Sequence, residues 1–266
     1  MQISQRLWAL VLVLFLAACA GRGPVPAPEA RQALAPTGKL RVGVYPGSPT
    51  SMLRDPVSGE VKGVSVDLGK ELAKRLGVLY EQVEYRRIAE VIEALKSGAA
   101  DFTISNATPA RAKDVDFTKP LLAIELGYLV PPGSPISTLT DVDRSGIRVG
   151  VTQGSTSQRT LPDQLRNATV VPAPTLRDAV EMLSQQRLDA FATNKAILYE
   201  MSQGLPGSRV LDGRWGVEHL AIAIPKGRDE GMVYLQRFVE AVTSEGLVAR
   251  AADRAGLRGA VGADSR

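Results

Sequence analysis

The sequence predicts an α/β protein whose folded body has two similar halves, each with its own sheet. Apolar runs typical of strands alternate with amphipathic segments typical of helices from residue 39 to residue 255. Glycines follow several of these segments and end them, as at Gly77 and Gly98. The body spans roughly 220 residues, which is enough for one large domain or two lobes.

The elements follow one another in a regular order. In the first half, strands are predicted at residues 39–44, 101–105 and 124–130, and helices at 67–76 and 88–97. In the second half, strands are predicted at 147–152, 188–193 and 220–224, and helices up to 165 and at 175–186, 195–203, 229–245 and 247–255. We expect Asp67 to cap the first helix, and Thr175 and Asp178 to approximate a capping box.

The first 18 residues are predicted to be a secretory leader. Arg6 precedes an apolar run over residues 7–18, which is shorter than the about 20 residues that a membrane-spanning helix needs. Small residues precede Cys19, the single cysteine of the chain, and this pattern resembles the lipobox of bacterial lipoproteins. The resemblance implies that Cys19 carries a lipid anchor. A plain signal peptide cleaved after Ala18 or Ala20 is the alternative.

Both ends of the mature chain are predicted to lack regular structure. Residues 19–38 form a lipid-anchored tether in this interpretation, because they carry four prolines and little that could be buried. Such a tether would let the folded body reach a partner at the membrane. The tail, residues 259–266, is expected to be frayed.

The composition argues against two classes of partner. The formal net charge of +4 is scattered along the chain and aromatic residues make up only 5%, so we expect no nucleic-acid partner. His219 is the single histidine, and together with Cys19 it cannot supply a His/Cys metal cluster. No metal or other cofactor is therefore expected.

Residues 107–120 contain a candidate anion-binding arginine. Arg111 stands just after a turn that follows the strand-like run 102–105. Arginine binds carboxylates well because its planar guanidinium donates two parallel hydrogen bonds. Ligands of α/β proteins usually lie at the carboxyl ends of strands, where this arginine is expected. An ordinary surface arginine in the first turn of a helix is the alternative.

Five segments resemble, in order, motifs of bacterial extracellular solute-binding proteins of family 3, which have the periplasmic-binding-protein type II fold. They are residues 63–77, 92–101, 108–118, 148–156 and 221–227. The first, GVSVDLGKELAKRLG, is similar to the family's G-F-D-x-D-L-A-x-x-L-A-x-x-L-G, and the third, TPARAKDVDFT, to its T-x-x-R-x-x-x-V-D-F-S. The similarity extends from about residue 39 to residue 257.

This resemblance implies a two-lobed α/β fold in which each lobe is a mixed sheet flanked by helices. Lobe one would comprise residues 39–122 plus 219–258, and lobe two residues 125–216, joined by a hinge of two crossings near 121–126 and 215–220. The resemblance also implies a monomeric, periplasmic substrate-binding component of an ABC importer of polar amino acids. Its lobes would close on a small anionic or zwitterionic ligand and present it to a permease in the inner membrane.

The family's binding residues can be carried onto this sequence. Arg111 matches the arginine that binds the ligand's α-carboxylate, with Ser105 and Asn106 beside it. Tyr45 begins the segment that matches the first ligand-binding loop.

A second matching loop consists of Gly154, Ser155 and Thr156. In the family, N–H groups of this loop meet the ligand's carboxylate at the start of a helix, where free amides and the helix dipole favour an anion. A plain strand-to-helix turn is the alternative.

One position departs from the family. Asn194 stands where amino-acid-binding members have an aspartate that accepts the ligand's ammonium, and a neutral amide supplies no compensating charge. The first hypothesis is therefore a carboxylate or another small oxyanion without an ammonium. The second is an amino acid whose ammonium meets a hinge acid, Glu125 or Glu218.

Two other functions stay open at the level of the sequence. Some proteins of this fold are periplasmic enzymes, such as cyclohexadienyl dehydratases, in which a cleft carboxylate does acid–base work. Glu125, Glu218 or His219 would take that role here. No nucleophile–base pair is visible, so we expect a binding protein rather than an enzyme. A sensory lobe that reports to a signalling partner is the remaining alternative.

Overall fold

The computed structural model describes residues 28–262 as a mixed α/β fold. The α-helices are α1 (Pro28–Leu34), α2 (Val64–Leu76), α3 (Ile88–Lys96), α4 (Thr156–Gln164), α5 (Leu176–Ser184), α6 (Lys195–Gln203), α7 (Asp229–Ser244) and α8 (Leu247–Arg254). The strands are β1 (Lys39–Val44), β2 (Leu53–Arg54), β3 (Val61–Lys62), β4 (Leu79–Glu84), β5 (Thr103–Asn106), β6 (Val115–Phe117), β7 (Leu122–Val130), β8 (Arg148–Thr152), β9 (Thr169–Ala173), β10 (Ala190–Asn194), β11 (Arg209–Val210), β12 (Gly216–Pro225) and β13 (Ala260–Val261). Short 3₁₀ helices lie at Arg111–Lys113 and Leu139–Val142.

The predicted elements are confirmed to within a few residues, with one wrong cap. Helix α2 begins after Gly63, whose φ of 154° and closeness to the Ser51 carbonyl leave no room for a Cβ. Asp67 lies within the first turn and accepts a hydrogen bond from Arg254 of α8 at 2.8 Å, so it is not the cap. Strands β4 and β9 were not predicted, because their side chains are only partly buried and their apolar residues do not alternate.

Two long antiparallel strands, β7 and β12, connect the lobes of this two-lobed fold. The large sheet has the order β5-β12-β7-β10-β8-β9, with β6 paired to β12, and β11 and β13 paired to β7. Strands β7 and β12 pair from Leu126 opposite Gly216 to Leu122 opposite Leu220. The crossings expected near 121–126 and 215–220 thus lie side by side, and the sheet is continuous from lobe to lobe. Strands β1 and β4 form a separate parallel pair.

The two lobes are in contact. Ile88 and Val91 of α3 share one buried hydrophobic cluster with Leu176 and Ala179 of α5. Nearby, Nη1 of Arg87 donates to the Pro174 carbonyl oxygen at 3.4 Å. The space between the lobes is therefore enclosed in this conformation.

The predicted tether is wrong for its second half. Residues 28–34 form α1, and Ala30 and Leu34 are buried. Gly231 of α7 lies so close to Leu34 that a Cβ there would be 2.7 Å from Leu34 Cδ2. The apolar pair at i, i+4 spacing gives the short helix a buried face, and Pro28 is tolerated at its first position. Residues 19–27, Cys19 and the predicted leader lie outside the described residues.

The tail prediction is also wrong where the structure describes it. Residues 260–261 form β13, which pairs with β7 through Ala260 opposite Ile124. The Glu125 N–H donates to the Gly259 carbonyl oxygen at 3.0 Å. The Arg258 guanidinium lies 4.0 Å from the centre of the Tyr199 ring on α6. The tail therefore runs along the hinge strand and contacts lobe two; residues 263–266 lie outside the described part.

The same ion-pair arrangement occurs in both lobes. In lobe one, Asp101 accepts hydrogen bonds from the backbone N–H and the guanidinium of Arg41, and Arg228 adds a third donor group at 2.9 Å. In lobe two, Asp189 accepts from the backbone N–H and the guanidinium of Arg148. The two sites differ in burial, since the Asp101 side chain is 0% exposed and that of Asp189 is 30% exposed.

No helix between residues 28 and 262 is both long enough and apolar enough to cross a membrane.

The difference in burial predicts a difference in stability. Asp101→Asn leaves two largely buried guanidinium groups without their counter-charge, and we expect it to lower the free energy of unfolding by about 3–5 kcal/mol. Asp189→Asn is the matched control and is expected to cost clearly less, because water screens the more exposed pair. Urea unfolding of both variants measures the difference. Equal losses would contradict the assignment of Asp101 as a buried structural charge.

Candidate ligand-binding site

A cavity of about 40 Å³ lies between the lobes. The site residues proposed from the sequence that line it are Tyr45, Ser105, Asn106, Arg111, Ser155, Thr156 and Asn194. Glu218 of β12 also lines it, whereas the other hinge acid, Glu125, does not. Glu125 is instead paired with Lys195 at 2.7 Å and Arg214 at 3.4 Å.

Arg111 is held in the cavity wall by the end of β5. Its side chain is buried, and the residue is 6% exposed. Nη1 donates to Ser105 Oγ at 2.7 Å and to the Asn106 carbonyl oxygen at 3.3 Å. Among the described residues, no acceptor is found for Nε or Nη2. Burial lowers the pKa of Arg111, and the charge of Glu218 opposes this shift.

Glu218 faces the same cavity from the hinge and is 8% exposed. Its Oε2 accepts from Asn194 Nδ2 at 2.9 Å, and its Oε1 accepts from Asn106 Nδ2 at 3.4 Å. Burial raises the pKa of Glu218, while the Asn194 hydrogen bond and the charge of Arg111 oppose the rise. The amide N–H groups at both oxygens stabilise the carboxylate form but do not cancel the effect of burial, so the net pKa stays raised.

The orientations of both asparagines are fixed by backbone groups. Asn194 caps α6, and its Oδ1 accepts the Ile197 N–H at 3.1 Å. Asn106 Oδ1 accepts the His219 N–H at 3.2 Å. Each amide therefore turns its NH₂ group toward Glu218. The oxygen of Asn194 already accepts one hydrogen bond, and its neutral amide carries no charge that could compensate a ligand ammonium.

Two opposite charges thus line one small cavity without neutralising each other. In the described part of the chain, no ion pair within 4.0 Å joins Arg111 to Glu218, although each acts on the pKa of the other. Keeping two buried charges apart is costly unless each gains a partner. A ligand that carries an anionic and a cationic group supplies both.

The start of α4 completes the cavity wall with free donors. The Gly154 N–H donates to Gln158 Oε1 at 2.5 Å, and the Ser155 N–H donates to the Thr152 carbonyl at 3.0 Å. The free amides in this part of the described chain are therefore those of Thr156 and Ser157, which line the cavity. Thr156 Oγ1 is buried without a partner. These donors lie at a helix N-terminus, where an anion is favoured.

Gly154 corrects the sequence-based expectation. It does not line the cavity, and its amide is used within the loop. Its φ is +74°, and a Cβ at this position would lie 2.5 Å from Ala89 Cβ of α3. Its glycine therefore permits close contact between the lobes, and the residues of this loop that line the cavity are Ser155, Thr156 and Ser157.

Sequence reasoning missed several hydroxyl and apolar residues of the wall. Thr152 and Thr193 lie at the carboxyl ends of β8 and β10, where the rule that placed Arg111 could also have found them. Leu176 could not be recognised as a cavity residue from the sequence, because it is the first residue of α5, whose other apolar residues pack in the core. Tyr45 is buried in the wall, and burial raises the pKa of its phenol, which stays neutral.

The sequence profile of bacterial extracellular solute-binding proteins, family 3, matches residues 40–256. The chain belongs to this family. Its members act outside the cytoplasm, and the named relatives are binding proteins of transport systems rather than enzymes.

Relatives of this family 3 protein include several amino-acid-binding proteins. The chain is 26% identical over 235 residues to the ABC transporter glutamine-binding protein GlnH of Bacillus subtilis, covering 85% of this chain and 86% of that protein. The solute receptor for L-cysteine of Neisseria gonorrhoeae is 25% identical with a TM-score of 0.75, covering 86% and 93% of the chains. The ancestral amino acid-binding protein AncCDT-1, a precursor of cyclohexadienyl dehydratase, is 26% identical with a TM-score of 0.73, covering 84% and 98%.

The contact between Asn194 and Glu218 yields a stability prediction. Asn194→Asp keeps a good helix cap but places a carboxylate against Glu218 and removes its donor. We expect the free energy of unfolding at pH 7 to fall by about 1–3 kcal/mol, and the loss to shrink at pH 4, where the pair takes up a proton. Urea unfolding at both pH values tests this.

The matched control is the double variant Asn194→Asp/Glu218→Gln, which again has one carboxylate and one amide. It is expected to recover most of the stability at pH 7. A single variant as stable as the native protein at both pH values would contradict the described contact.

Proposed function

We propose that this protein is the substrate-binding component of an ABC importer and captures an amino acid between its lobes. The observation that carries this proposal is the pair of buried, mutually unpaired charges, Arg111 and Glu218, on one cavity. A free amino acid is a zwitterion and has the complementary charges in one small molecule. Of the two ligand hypotheses, this geometry favours the amino acid.

The carboxylate end of the ligand is assigned to Arg111 and the start of α4. Arg111 has Nε and Nη2 free for a bidentate contact, the arrangement in which guanidinium binds carboxylate most strongly. The N–H groups of Thr156 and Ser157 and the hydroxyl of Thr156 supply further donors. Ser105 and Asn106 support Arg111, so they act mainly by positioning it.

The ammonium end is assigned to Glu218. An organic anion without an ammonium would leave this buried carboxylate without a cation and would add a second negative charge near it. Asn194 takes no direct charge role in this proposal; it holds Glu218 by its NH₂ group. The aspartate expected at position 194 from the family is thus replaced by a glutamate on the hinge strand.

The cellular role follows from the family. We propose that the lobes separate and close by bending at β7 and β12, and that the closed, liganded form is recognised by an inner-membrane permease. Anchoring through a lipid on Cys19, periplasmic location and action as a monomer belong to the same proposal. Relatives named for glutamine, arginine and histidine binding support an amino acid as the ligand.

Moving the carboxylate from position 218 to position 194 tests the assignment of the ligand's ammonium to Glu218. Screening the twenty common L-amino acids by thermal shift identifies a ligand, and isothermal titration then gives its affinity for the variants. Glu218→Gln is expected to weaken binding by about 2–5 kcal/mol, at least roughly thirtyfold. Asn194→Asp/Glu218→Gln returns a carboxylate to the same corner of the cavity, and we expect it to regain most of the lost affinity.

Glu218→Gln binding at native strength would contradict the proposal, and so would failure of all twenty amino acids to stabilise the native protein. Arg111→Gln is the control for the carboxylate end of the ligand. Adding Asn194→Asp and Glu218→Gln to this variant is not expected to restore its affinity.

Ligand affinity is also expected to depend on pH. Burial raises the pKa of Glu218, and the groups that face it are Arg111, Tyr45, Asn106 and Asn194. The carboxylate pairs with the ammonium only when ionised, so affinity is full above the raised pKa and falls as the pH drops through it. Titrations between pH 4 and pH 8 measure this fall. A flat profile for Glu218→Gln is the control, and a flat native profile contradicts the role of Glu218.

A further inference from the structure

Resting on the proposed function, we infer that the cavity selects α-amino acids with a short, uncharged side chain. Two independent features of the cavity lead to this assignment: the number of charges that line it and the way the contacting lobes limit its size.

In the proposed complex, the α-carboxylate and α-ammonium groups of the ligand pair with all the charged side chains that line the cavity. Among the lining residues that the structure describes, Arg111 and Glu218 are the ones with a formal charge. Arg111 matches the α-carboxylate and Glu218 the α-ammonium. The next charge acting on Arg111, Arg159, is exposed on α4 and does not line the cavity.

A charged side chain would therefore be buried without a partner. The remaining wall consists of hydroxyl groups, such as those of Thr50 and Thr193, and of apolar residues, such as Ile88, Ile104 and Leu176. Neither kind of group offers a counter-charge to an arginine, lysine or glutamate side chain. Burying such a charge unpaired is far more costly than burying a methyl or hydroxyl group.

The contacts between the lobes limit the length of the side chain. A cavity of about 40 Å³ has room for about three water molecules. When the lobes are closed, Leu176 of lobe two packs on Gly47 of lobe one, where a Cβ would lie 3.3 Å from Leu176 Cδ1, so the cavity can widen only by breaking this contact. Gly154 and Ala89 form a second close contact. A long side chain would hold these contacts open, whereas alanine, serine or cysteine would leave them formed.

Isothermal titration of the full chain, purified without denaturation and freed of bound ligand, tests the inference. The probes are glycine, L-alanine, L-serine and L-cysteine on one side, and L-glutamine, L-arginine, L-lysine and L-glutamate on the other. We expect the tightest short, uncharged amino acid to bind roughly a hundredfold or more tighter than any charged one. Glutamine is expected to be intermediate, because it is uncharged but long.

A pair of variants separates charge from shape. Leu176→Asp places a carboxylate in the wall at the first position of α5, where a helix N-terminus tolerates an acid. It is expected to improve lysine binding relative to alanine at least tenfold, while Leu176→Asn, of nearly the same shape, is not. Equal changes in both variants would overturn the charge argument.

Native protein that binds arginine, lysine or glutamate as tightly as alanine overturns the inference, and tighter binding of glutamine overturns the assignment of a short side chain. In both cases the proposed function survives. Failure to bind any amino acid overturns the proposed function and this inference with it.

Discussion

The central physical constraint in this protein is that Arg111 and Glu218 are both buried, face one cavity and remain apart. Each has lost most of its water, and each is only partly compensated by neutral hydrogen-bonding groups. The surrounding fold is arranged to keep this state. Asn106 and Asn194 each use their oxygen on a backbone N–H and their NH₂ group on Glu218, so that a strand end and a helix cap fix the carboxylate.

The rest of the body gives these charges a rigid frame. In both lobes an aspartate at the start of a strand binds the backbone and side chain of an arginine on a neighbouring strand, through Asp101 and Arg41 or Asp189 and Arg148. These contacts tie together the strands whose carboxyl ends reach the cavity. The same kind of contact therefore anchors cavity-lining strand ends within each lobe.

Most of the fold followed from the sequence, but the chemistry of the site followed only in part. Periodic apolar residues and glycine stops located most helices and strands, and a motif of several residues located Arg111. From the sequence, the acid that could meet a ligand ammonium could be narrowed only to Glu125 or Glu218. The choice between them depends on which face of β12 points to the cavity. The orientation of the Asn194 amide depends on the three-dimensional structure, since its oxygen accepts from α6 and its NH₂ group donates to Glu218 of β12. Helix α1 and strand β13 were missed because short, proline-rich or terminal segments carry too few apolar residues to reveal partners far away in the chain.

The pairing of the tail with β7 gives the hinge a third strand. If the lobes separate by bending at β7 as proposed, residues 260–261 must bend with it or detach, and the contact between Arg258 and Tyr199 lies on the same path. In that proposed movement, the tail would contribute to the difference in free energy between open and closed forms. Affinity for a ligand can then drift through changes at the carboxyl terminus that never touch the cavity. A purification tag or fluorophore fused there would then be attached directly to a strand that pairs with β7.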